Sequence, residues 1–145
     1  MLGVLLAFFA PAGRAEEASL DHYASVTVEP AKTSIYIGDV KLTMPAFTRA
    51  GGTYASTYEA KVFPYFFYNE SGQLWIDFPD QDLLRLQHGE TVNFTGHAES
   101  SDHEERKVEG RAVPTDAVTG KLKVRVFVSK NIELIFNTTY RFTAK

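Results

Sequence analysis

Near its C-terminus the chain places Leu122, Val124, Val126 and Val128 in alternation with Lys121, Lys123 and Arg125. After Ser129-Lys130-Asn131, the residues Ile132, Leu134, Phe136, Thr138, Tyr140 and Phe142 recur at every second position. Successive side chains of a strand point to opposite faces, so a strict period of two marks a strand with one face buried. Two such runs joined by three polar residues read as a hairpin. No helix can bury that pattern, and its repetition through the chain confines the protein to an antiparallel all-β fold.

The same period appears upstream. Tyr23 to Glu29 forms a first strand that Pro30 ends, and Thr33 to Ile37 and Val40 to Phe47 are joined by a Gly38-Asp39 turn, with Pro45 marking an edge or bulge because proline cannot donate to a ladder. Arg49-Ala50-Gly51-Gly52 is a turn before Thr53 to Phe63, which puts Tyr54, Tyr58 and Val62 on one face. Asn69-Glu70-Ser71-Gly72 is a turn by composition, and Gln73 to Phe78 follows with Leu74, Ile76 and Phe78 facing the core. Asp80 to Gly89 breaks the period: Asp80 is a candidate N-cap, the leucines are three apart and Gly89 is a stop, so this segment reads as a short helix. Thr91 to Ala98 and Arg106 to Val113 form a hairpin around the loop Glu99 to Glu105.

About eight or nine strands and one short helix fit two architectures. One is a two-sheet antiparallel β-sandwich in which the helix crosses between sheets; the other is an up-and-down meander barrel. The helical crossover tips the reading toward the sandwich. Cavity content separates the two, because an eight-strand barrel can hold one small ligand and a sandwich is filled solid.

The N-terminal run Met1 to Ala10, MLGVLLAFFA, has the length of a signal-peptide apolar region and is too short to span a bilayer. Gly13 and Ala15 supply small residues ahead of a cut, so residues 1–15 read as a signal peptide, although no Lys or Arg precedes the apolar run. Residues 16–145 then form a single all-β domain of about 130 residues, one unit more negative than the −3 of the whole chain. Such a domain buries enough surface to fold without staples. The chain has no cysteine, which removes disulfides, thiol chemistry and a lipid anchor on cysteine. The expected location is periplasmic or secreted, in a bacterial envelope. The sequons at Asn69, Asn93 and Asn137 are read as chance.

The densest local feature is Phe63-Pro64-Tyr65-Phe66-Phe67-Tyr68, with Trp75 on the next strand. A strand sends alternate side chains to opposite faces, so the run is read chiefly as core packing; aromatics that do face outward would stack on sugars or line an apolar pocket. Tyr65, Phe67, Trp75 and Asp77 are the candidate ligand-binding residues, Trp75 and Asp77 sharing the face opposite Leu74 and Ile76. Among His22, His88, His97 and His103 no spacing is diagnostic of a metal, and His97 and His103 fit a solvated hairpin tip better than a metal site. Lys121, Lys123 and Arg125, extended by Lys107 and Arg111 if the two hairpins are neighbours, make a basic stripe that suits the outer face of a sheet.

Catalytic signatures are missing: there is no GxSxG elbow, no cysteine nucleophile and no glycine-rich phosphate loop, and the nearness of the acids Asp77, Asp80, Asp82 and Glu90 in sequence does not fix their separation in space. No cofactor or metal is implied, the net negative charge offers no attraction for nucleic acid, and no membrane span is expected. The leading expectation is therefore an exported, non-catalytic binding or assembly module of the cell envelope, with a protein or a small apolar or carbohydrate molecule as partner. The alternative is a lipocalin-like barrel, by architectural analogy, carrying an apolar small molecule against Tyr54, Tyr58, Val62 and Phe67.

Overall fold

The computed structural model describes residues 21–35 and 38–144, so the segment read as a signal peptide lies outside the described residues. Among those residues the alternating runs become ten strands: β1 (Ser25–Val28), β2 (Ala31–Ile35), β3 (Gly38–Thr43), β4 (Phe47–Ala50), β5 (Thr53–Phe63), β6 (Glu70–Asp77), β7 (Val92–Ser100), β8 (Glu105–Pro114), β9 (Thr119–Phe127) and β10 (Glu133–Thr143). The α-helix α1 (Asp80–Gln87) stands between β6 and β7, and single 3-10 turns occupy Asp21–Tyr23 and Phe66–Tyr68.

Proline decides where the first strands break. β1 runs antiparallel to β10 from Ser25 opposite Thr143 to Val28 opposite Tyr140. The Glu29 N–H donates to Thr139 O at 3.1 Å and extends that pairing by one step before Pro30, which has no N–H, ends it. The chain then continues as β2, which pairs with β3 instead. A second break at Pro45 divides one long strand into β3 and β4, both of which pair with the long β5: β3 along Glu59 to Phe63, β4 along Thr53 to Ala55. The sequence pattern predicts a single strand across this break and a turn at Arg49-Ala50; both residues instead belong to β4.

These pairings close a ring. Following the ladders from β5 through β6, β7, β8, β9 and β10 leads to β1, then β4, then back to β5, so eight strands form a closed antiparallel barrel with β2 and β3 as extra strands. Among the described residues the all-β expectation and the single short helix are met, and the meander barrel, not the sandwich, is the architecture. The sandwich reading fails because α1 carries the chain between β6 and β7, which are hydrogen-bonded neighbours in one sheet, from Gly72 opposite Ser100 to Asp77 opposite Thr95.

The helix instead stoppers one end. Leu83 and Leu86 are fully buried, as is Val92 just beyond, and Tyr23 from the N-terminal 3-10 turn packs edge-on against Phe142 with ring centres 4.7 Å apart. Pro79, not Asp80, occupies the helix N-cap, while Asp80 and Asp82 sit in the first turn, where their charges oppose the helix dipole favourably. Arg49 pins this end from the barrel wall, its Nη2 donating to Phe78 O at 2.7 Å and meeting Asp80 Oδ1 at 2.9 Å. Gly89, at φ +86°, supplies the left-handed backbone that ends the helix.

Candidate functional site

The inner wall follows from the period of two. Leu74 and Ile76 on β6, Val108 and Ala112 on β8, Val124 and Val126 on β9 and Leu134 and Phe136 on β10 all point inward, while the lysines and arginines between them point out. What they enclose is a cavity of about 640 Å³. Sites that hold compact organic ligands span roughly 300–1,000 Å³, so there is room for one. Leu86 of α1 forms its floor together with Phe78, Phe94 and Phe142.

At the other end of the barrel the strand period stops. After Phe63 and a cis bond to Pro64 the chain turns through Phe66–Tyr68, and the Asn69 side chain accepts the Val62 N–H at Oδ1, 2.7 Å. The backbone bonds that would continue β5 are thus spent on a tight turn. Its side chains stand in the open: Phe63 and Phe66 are each 75% exposed, Phe67 70% and Tyr68 59%. This corrects the reading of the run as core, because none of these rings enters the hydrophobic interior as a strand residue would. Phe67 nevertheless packs against Tyr65 and Tyr68, with ring centres 5.7 and 4.7 Å away, and both Phe67 and Tyr68 line the cavity at its mouth.

The candidate ligand residues therefore separate into two places. Tyr65 and Phe67 sit together at the mouth, while Trp75 and Asp77 lie on the outer wall of β6, in phase opposite to Leu74 and Ile76. Trp75 stacks on the His97 ring of β7 at 4.8 Å, and Asp77 is exposed. Tyr54, Tyr58, Val62 and Phe67, the lining expected of a barrel, all line the cavity. His103 is in the β7–β8 turn at φ +65°, 3.9 Å from Glu99. The two C-terminal hairpins are neighbours, with Arg111 opposite Lys123, but Glu109 lies opposite Arg125 and interrupts the basic stripe.

Two inward-facing charged residues escape a reading by residue type. Glu70, placed in a turn by composition, is the first residue of β6, and Arg106 is the second of β8; both are inward in phase, Glu70 with Leu74 and Arg106 with Val108. Arg106 Nη2 donates to Glu70 Oε1 at 2.9 Å and its Nη1 to Val128 O at 2.9 Å, and the Tyr58 hydroxyl donates to Glu70 Oε2 at 2.6 Å. The side chains of Arg106 and Glu70 are only 17% and 26% exposed. Burial opposes ionisation of Glu70, but the bonds from Arg106 and Tyr58 outweigh it and hold the carboxyl below its ordinary value, so the pair is ionised at neutral pH. Burial, reinforced by that carboxylate, pushes the Tyr58 phenol well above its ordinary value, leaving it a neutral donor.

The wall also has a seam. Above Val28 the strands β2 and β10 run side by side, yet no ladder joins them among the described residues, since β2 pairs with β3 and the first half of β10 pairs with β9 alone. Fold and interior together define a closed up-and-down β-barrel with an apolar cavity, a helical floor and one polar cluster near its mouth. Comparison with models of known families, with curated proteins and with solved structures finds no match.

Proposed function

We propose that this protein is a non-catalytic binding barrel, exported to the cell envelope, that holds one apolar small molecule inside its wall. The observation that carries the reading is the cavity of about 640 Å³, lined almost throughout by aliphatic and aromatic side chains and floored by Leu86. An interior that served stability alone would be filled, because voids forfeit dispersion contacts and cost stability. The run Met1 to Ala10 and the small residues Gly13 and Ala15 support export.

The test is binding of a neutral, environment-sensitive naphthylamine dye to the purified protein, with mass spectrometry of a solvent extract made from protein isolated from its native compartment. One dye per chain is expected, lost in Val124→Trp, whose indole fills the cavity while circular dichroism keeps the β signature. Absence of both dye binding and any extractable molecule overturns the reading. Turnover of a glycoside or ester substrate that Asp77→Asn abolishes would overturn its non-catalytic part. Recovery of the chain in the cytoplasmic fraction, with residues 1–15 still attached, would overturn export.

A further inference from the structure

An ion pair facing the inside of an apolar cavity is an expensive way to build a wall. Desolvating two charges costs several kcal/mol, and replacing such a pair by apolar residues is often neutral or stabilising. Here the pair is also given space. Across the ladders Glu70 lies opposite Ala60 and Arg106 opposite Ala98, so the residue directly facing each charge is an alanine.

The hydrogen-bond inventory says what this cluster offers a newcomer. Both oxygens of Glu70 are engaged, by Tyr58 and by Arg106. A guanidinium carries five N–H donors. Arg106 spends one on Glu70 and one on Val128 O, which leaves unused donors on a group that lines the cavity. Its charge is already balanced by Glu70, and Asp102 and Glu104 of the β7–β8 turn line the same mouth.

We propose that the occupant is a neutral amphiphile, its apolar tail in the barrel and a single hydrogen-bond-accepting oxygen, of an alcohol, ester or ketone, held by Arg106 at the mouth. This rests on the cavity reading and names the chemistry of its ligand. An anionic head would share Arg106 with the Glu70 carboxylate in a partly desolvated site, where like charges repel far more strongly than in water. A cationic head would meet the guanidinium and find the Glu70 oxygens taken, and the Asp102 and Glu104 carboxylates are exposed to water, where an ion pair contributes little.

The experiment is displacement of the neutral naphthylamine dye from the full, delipidated protein at neutral pH by 1-dodecanol, methyl laurate, laurate and dodecylammonium. The alcohol and the ester should bind about tenfold or more tighter than laurate or the ammonium. Glu70→Gln removes the balancing charge, so laurate should gain about tenfold and close most or all of its gap to the alcohol. Arg106→Gln should weaken the alcohol by a larger factor than it weakens the dye; if that variant does not fold, Glu70→Gln carries the test. Equal binding of all four heads, or a wild-type preference for laurate or the ammonium, overturns the head-group site while dye binding leaves the cavity reading standing. Failure of the dye itself to bind overturns both.

Discussion

The hydroxyl of Tyr54 on β5 donates to the backbone carbonyl of Tyr23 at 2.6 Å in a buried setting, tying the N-terminal 3-10 turn to the barrel wall. Tyr23 in turn donates its hydroxyl to Ala117 O at 2.6 Å, so three separate segments are fastened across the closed end. Tyr54→Phe keeps the ring and removes the donor, leaving a buried carbonyl without its partner. It should cost about 1–3 kcal/mol in urea unfolding. A change within a few tenths would show that the closed end is held by packing alone.

The helix floor predicts a different pattern. Leu83 and Leu86 are both buried against the barrel end, but only Leu86 lines the cavity. Each change to alanine should lower stability by about 2–5 kcal/mol. Leu86→Ala alone should also enlarge the ligand space, so its dye affinity should change while that of Leu83→Ala stays at the wild-type value. Identical dye titrations for the two variants would contradict the assignment of Leu86 to the floor.

Much of this was legible in the sequence because period two is a local property. The faces of β5, β6, β9 and β10 follow from Tyr54-Tyr58-Val62, Leu74-Ile76 and the two C-terminal runs. Ring closure is not local: it depends on Ser25 to Val28 meeting Tyr140 to Thr143 at the far end of the chain, which no window of residues displays. The aromatic run misleads for a related reason. Its residues have strand propensity, but Asn69 claims the Val62 N–H and a turn replaces the strand. Glu70 and Arg106 were hidden by residue type, since charges are read as outward. Their phase with Leu74 and Val108 was the available signal.

Acid should dissolve the Glu70 interaction in a defined window. The folded carboxyl lies below the ordinary 4.5, so between the two values the unfolded chain binds more protons than the native one. The stabilisation is therefore complete above the ordinary carboxyl range and is lost as pH falls through the folded value. Glu70→Gln should be less stable than wild type at neutral pH, the gap narrowing below about pH 4.5. Urea midpoints measured across that range check it, and a gap that stays constant down to the lowest pH would refute the coupling.

Gly110 on β8 faces inward directly opposite Phe94 on β7, and the Phe94 ring lies across it where a side chain would stand. Any Cβ at this position runs into the ring. Gly110→Val should therefore cost about 1–3 kcal/mol through overpacking. Combined with Phe94→Leu it should cost less than the two single changes added together, a coupling of about 0.5–3 kcal/mol in the double-mutant cycle. Strict additivity would mean that the ring moves aside freely.

The exposed aromatics of the mouth should matter to the ligand and not to the fold. Phe66 is 75% exposed and makes no contribution to the cavity lining, so Phe66→Ser should leave stability within about 0.5 kcal/mol. Phe67 is nearly as exposed but lines the mouth beside Tyr68. A serine there should be equally neutral for folding, yet it removes a ring that a bound molecule must pass. Losing about 1 kcal/mol of contact corresponds to about fivefold, and such effects fall mainly on dissociation. Stopped-flow release of the dye should thus be about fivefold faster in Phe67→Ser and unchanged in Phe66→Ser. If both variants release the dye at the wild-type rate, the molecule leaves elsewhere, and the seam between β2 and β10 becomes the route to test.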